Sequence, residues 1–99
     1  MNGFDLQVKG ETKSGTDRIR PVFVWKSQPG CRQYTIEMSR KADFSEIIFL
    51  RDTRANFYVY DNVPLRPDTV YHVRVRSGLG EWSTVSFRTE SSVTGEEKL

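Results

Sequence analysis

The sequence predicts an all-β domain of seven short antiparallel strands packed as a two-sheet sandwich. Short runs that alternate apolar and polar residues recur along the 99-residue chain, separated by turn chemistry. Aromatic residues make up 12% of the chain beside many Val, Ile and Thr, a mix that suits pleated, half-buried surfaces. Alanine occurs only at Ala42 and Ala55, which is poor material for helices.

Each strand has its own signature. Phe4, Leu6 and Val8 alternate with Asp5, Gln7 and Lys9, giving a first strand with one apolar face. A polar loop covers residues 10–17, and Pro21 opens a second strand in which Phe23 and Trp25 share a face. Gln28, Pro29 and Gly30 form a turn. The third strand, Gln33 to Ser39, sets Tyr34, Ile36 and Met38 against Thr35 and Glu37. A charged connection follows from Arg40 to Ser45, with Phe44 expected to tuck back onto the core. The run Glu46 to Arg51 is apolar on both faces, so its register is not readable. A fifth strand runs from Asn56 to Tyr60, and residues 64–68 (PLRPD) make a corner. From Val70 to Ser77 the alternation is cleanest: Tyr71, Val73 and Val75 face in, while His72, Arg74 and Arg76 face out. After a glycine-flanked tip at Leu79, Trp82 to Thr89 closes the fold with Phe87 buried.

This length suits one domain, burying roughly two-thirds of the surface its unfolded chain exposes. The expected division is a domain over residues 1–89 and a polar, disordered tail or linker over 90–99. A formal net charge of +2 is too small to imply a nucleic-acid partner. No apolar run approaches the ~20 residues of a membrane helix. Residues 1–5 lack both segments of a secretory signal, and the expectation is a domain taken from a longer chain. Cys31 is the only cysteine, so it has no disulfide partner within the chain and no multi-thiolate metal site is available. It reads as an incidental loop thiol.

Several segments, in order, resemble the fibronectin type III family of immunoglobulin-like sandwiches. Leu65-Arg66-Pro67-Asp68-Thr69-Val70-Tyr71 is similar to that family's Leu-x-Pro-x-Thr-x-Tyr segment. The resemblance implies a tyrosine corner, with Leu65 and Pro67 shaping the turn and the Tyr71 hydroxyl bonding backbone upstream. Trp25 resembles the family's core tryptophan, and Tyr34-Thr35-Ile36 its third strand. Gly80-Glu81-Trp82-Ser83 with Phe87 and Thr89 resembles its last strand. The likeness runs from about Phe4 to Thr89. Residues 21–25, 42–45 and 80–83 also resemble modules appended to bacterial polysaccharide-degrading enzymes and surface proteins. Trp82-Ser83-Thr84-Val85-Ser86 resembles the Trp-Ser-x-Trp-Ser motif of cytokine-receptor modules, with Val85 in place of the second tryptophan.

The functional expectation is a non-catalytic spacer or protein/glycan interaction module of a larger extracellular or surface protein, monomeric in isolation. The alternatives are a ligand-binding receptor ectodomain segment, or an accessory module of an enzyme whose active site lies in another domain. His72 is the only histidine and sits mid-strand on an outward face, so neither a histidine pair nor a triad is in prospect. No cofactor and no metal are expected. Trp82, Arg74 and Arg76, with Leu79 at the tip, are the candidate binding residues. They read either as an exposed aromatic–basic site or, preferentially, as an intramolecular stack that covers the sheet face. Arg88 is grouped with them, and Glu37 is the expected acid partner of Arg74 or Arg76. Arg40, Lys41, Arg51 and Arg54 form a second basic group, diluted by Asp43, Glu46 and Asp52.

Overall fold

The computed structural model describes residues 3–9, 21–61, 65–78 and 80–89. The polar loop after Lys9, Pro64 of the corner, Leu79 and the tail 90–99 lie outside the described residues. Seven strands are present: β1 (Gln7–Lys9), β2 (Val22–Val24), β3 (Tyr34–Ser39), β4 (Ile47–Thr53), β5 (Phe57–Val59), β6 (Val70–Ser77) and β7 (Ser83–Arg88). They form two antiparallel sheets, ordered β1-β2-β5 and β4-β3-β6-β7, with no helix among the described residues.

Alternation decides which side chains meet between the sheets. Leu6, Phe23 and Trp25 come from the first layer, and Tyr34, Ile36, Met38, Phe49, Tyr71, Val73 and Val75 from the second. Trp25 and Tyr34 cross edge to face at 5.5 Å, a geometry the ring quadrupoles favour. Phe87 packs against this cluster but stays partly exposed, contrary to the expectation that it is buried. It lies on β7, an edge strand with a neighbour on one side only. Its ring stacks on Tyr71 at 5.7 Å and leans on Phe23 at 6.0 Å.

Two strands differ from the sequence reading for local reasons. β1 begins at Gln7 rather than Phe4, because Asp5 adopts a left-handed φ of 56°. The Lys26 N–H still donates to the Phe4 carbonyl at 2.7 Å, and Leu6 stays in the core. In β4, Met38 of β3 faces Phe49 while Ser39 faces Ile47, so Ile48 is the extra residue of a bulge. That bulge explains why the run lacked a readable register: the face changes within it.

The connection from β5 to β6 is tied by side chains. The Arg66 N–H donates to the Tyr71 hydroxyl at 2.9 Å, while the Arg66 carbonyl accepts from the Thr89 hydroxyl at 2.6 Å. Thr89 also accepts from the Thr69 N–H at 2.9 Å through the same oxygen. Both backbone groups of Arg66 are thereby satisfied, which a turn without ladder partners requires. Leu65 is buried beneath this corner, whereas Pro67 is exposed and its carbonyl accepts from the Thr69 hydroxyl. Asp68 takes φ 52°, a conformation that aspartate tolerates better than most residues.

Two outcomes follow from this packing. Tyr71→Phe strands the Arg66 N–H and lowers stability by about 1–3 kcal/mol, read as a shift of the denaturation midpoint. Burial, with Tyr71, Asp61 and Tyr58 nearby, pushes the Tyr60 phenol up to about 12 from 10.0. Through that window the unfolded chain releases a proton that the folded protein keeps, so stability falls as pH rises. Denaturant titrations at about pH 9 and about pH 11 register the fall, and Tyr60→Phe makes it shallower.

Candidate functional site

The outward face of the four-stranded sheet carries the side chains that alternation turns away from the core. Across β3, β6 and β7 the register places Glu37 opposite Arg74 and Arg74 opposite Thr84. One row along, Thr35 stands opposite Arg76, and Trp82 immediately precedes β7. The Arg74 guanidinium carbon lies 4.1 Å from the Trp82 ring centre, and that of Arg76 lies 4.3 Å from it. Arg74 also lies 4.1 Å from the Phe44 ring. The contacts run in series, Phe44–Arg74–Trp82–Arg76, alternating ring and cation. The intramolecular stack expected from the sequence is what the structure contains.

Phe44 is buried as expected, but on the opposite face. Its ring contacts are Arg74 and His72, both outward residues of β6, and it stands outside the core cluster. Reaching this position takes a φ of 57°, unfavourable for a residue with a large Cβ substituent. The turn is braced on both sides. The Phe44 N–H donates to the Lys41 carbonyl, and the Ser45 N–H donates to the Asp43 carboxylate. Hydrogen bonding from Ser45 holds Asp43 below its usual carboxylate range.

Charge is distributed unevenly along the series. Arg74 Nε donates to Glu37 at 2.9 Å and its Nη2 lies 2.8 Å from the same oxygen. With its aromatic cover, this pair leaves Glu37 only 8% exposed although it faces outward. Among the described residues Arg76 has no such partner, and its Nε is buried without a hydrogen bond. Arg88 takes no part in the stack. It pairs with Asp68 at 2.8 Å, well exposed, where an ion pair contributes little.

The remaining sequence candidates are dispersed. Arg40 and Lys41 lie at the pole where β3 ends, Arg51 lies against Phe49 at 5.7 Å, and Arg54 follows β4 at the opposite pole. They form no single patch. The turn at residues 28–33 and Ser77–Gly78 do converge, lining a shallow cleft of about 470 Å³. Its turn closes through the Cys31 N–H to the Gln28 carbonyl, with Gly30 at φ 76° after Pro29, as a type II turn requires. The Tyr34 hydroxyl accepts the Gln28 N–H beneath it. Cys31 is partly exposed, and its thiol points to the Gln33 carbonyl. His72 Nδ1 is 2.7 Å from the Ser86 hydroxyl. Among the described residues no group of three His, Cys, Asp or Glu could hold a metal ion.

Sequence reasoning missed two contributors, Phe44 as the first rung and Thr89 as the latch of the corner. Neither carries a signal in periodicity, since Phe44 lies in a connection and Thr89 follows the last strand.

Removing the indole tests the stack. Trp82→Ala lowers stability by about 1–3 kcal/mol through lost packing and cation–π contact. Arg74→Ala combined with it is non-additive in a double-mutant cycle, because the two side chains share one interaction. No protein-family model matches the chain, and no curated protein matches it significantly.

Proposed function

We propose that the chain is a fibronectin type III module that acts without catalysis, as a spacer and protein-interaction domain of a larger extracellular or surface protein. The observation that carries the reading is the placement of the ends of the described sandwich. Phe4 donates its N–H to the Ser83 hydroxyl at the start of β7, at one pole. Thr89 pairs with Thr69 at the other. The six residues of β7 between them extend about 20 Å. A sandwich entered at one pole and left at the other joins its neighbours end to end and holds them apart.

Two further features support the family reading. The strand order β1-β2-β5 against β4-β3-β6-β7 suits a Greek-key sandwich, and the Tyr71–Arg66 bond has the form of a tyrosine corner. A cytokine-receptor host is less well supported, because the ring that joins Trp82 in the stack comes from Phe44, in the β3–β4 connection, not from position 85. A sugar-binding role is also less favoured, because the Trp82 indole is already engaged by two guanidiniums and is a poor stacking platform.

Fusing a compact fluorescent protein to each end of the chain tests the spacer reading by small-angle X-ray scattering. An elongated two-lobed particle with a narrow distribution of separations is the expected result. Touching lobes, or a separation as broad as that of an unstructured linker, would count against a spacer.

A further inference from the structure

The aromatic–cation series leaves one charge unanswered. Arg74 is neutralised by Glu37, but Arg76 stacks on the Trp82 ring and forms no ion pair among the described residues. The acid in its row, Asp52 on β4, is one strand further off: Thr35 stands between it and Arg76 and donates its hydroxyl to Asp52 at 2.8 Å. A guanidinium that has surrendered its Nε to the interior without a hydrogen bond is costly unless its outer nitrogens are well used. The stack meanwhile fixes the side chain, so a partner that meets it has little rotamer entropy left to remove. One row along on the same face, Leu50 stands opposite Glu37 and is 49% exposed. β4 and β6 flank β3, which puts Leu50 and Arg76 on the order of 10 Å apart.

We infer that this sheet face docks an acidic protein segment, with Arg76 taking an Asp or Glu carboxylate of the partner and Leu50 receiving a neighbouring apolar side chain. A carboxylate matches the planar fork of a guanidinium two bonds at a time. Arginine and tryptophan, held together here, are among the side chains that carry most of the energy at protein interfaces. Charge complementarity selects the partner: the cation is prepositioned and has no ion pair among the described residues, while its neighbour Arg74 already has an acid. The inference rests on the reading of the chain as an interaction module.

The test is an NMR titration of the full isotope-labelled chain with a hexapeptide of alternating glutamate and leucine. A uronic-acid disaccharide and sodium chloride of matched ionic strength serve as comparison probes. Saturable shifts of the Arg76 Nε–H, the Trp82 indole N–H and the Leu50 methyls are expected with the peptide. Arg76→Gln weakens binding about fivefold. Arg76→Lys, which keeps the charge and supports the fold if the glutamine variant does not, weakens it comparably because the fork is lost. Glu37→Gln strengthens binding by freeing Arg74. Shifts that follow ionic strength alone, or peptide binding unchanged in both Arg76 variants, overturn the inference. Tighter binding of the disaccharide overturns it in favour of a glycan site. Saturable shifts confined to the turn at residues 28–33 overturn this site while leaving the module reading intact, which fails only on the scattering result.

Discussion

Strand β6 is paired along both edges, by β3 and by β7, and its two faces are covered by opposite means. Inward, Tyr71, Val73 and Val75 meet the three-stranded sheet and leave water altogether. Outward, His72, Arg74 and Arg76 cannot be buried that way, because a guanidinium taken from water needs compensation. The series of Phe44, Arg74, Trp82 and Arg76 supplies it. Aromatic faces cover the arginine side chains and Glu37 balances one of the charges. The other elements take their positions from this strand: its first half anchors the corner through Tyr71, and its second half holds the indole that leads into β7.

The covered outer face has local costs. Phe44 sits in the left-handed region, where a side chain crowds its own backbone, and Arg76 Nε is buried without a partner. Each is of the order of 1–3 kcal/mol. They are offset where they occur, by the burial of the Phe44 ring and by two guanidinium contacts on one indole. Trp25 shows the same trade in the core, where its indole nitrogen lacks a hydrogen bond while its ring crosses Tyr34. Aromatic area outweighs an unmet donor at both places.

The same arrangement shapes what the surface can do. With Trp82 engaged inside the molecule, the sheet face offers a fixed cation and an exposed leucine instead of a free ring. At one pole the turn before β3 and the tip after β6 come together over a shallow cleft. At the other, the Arg66 turn is locked by Tyr71 and Thr89. A sandwich braced at the Thr89 pole and along one face still presents a charged surface, which suits the module proposed above.

How much of this was legible in the sequence follows from the range of each force. Alternation is a local property, so the strands with one buried face declared themselves: Tyr34 to Met38 and Val70 to Ser77 stand as their period of two implies. The bond from the Arg66 N–H to the Tyr71 hydroxyl was anticipated from the resemblance of residues 65–71 to a known corner segment, not from alternation. The Trp82 stack followed from two arginines at period two beside a tryptophan that precedes the neighbouring strand. Tertiary structure decided the rest. The bulge at Ile48 depends on how β4 meets β3, the side Phe44 covers depends on the path of a loop, and the partial exposure of Phe87 depends on β7 being an edge. The Thr89 latch joins residues 23 positions apart. Which arginine Glu37 takes was left open by sequence and settled by register, since it stands opposite Arg74 and not Arg76. Pairing across strands is a contact at a distance in sequence, and only the folded chain brings those atoms within reach.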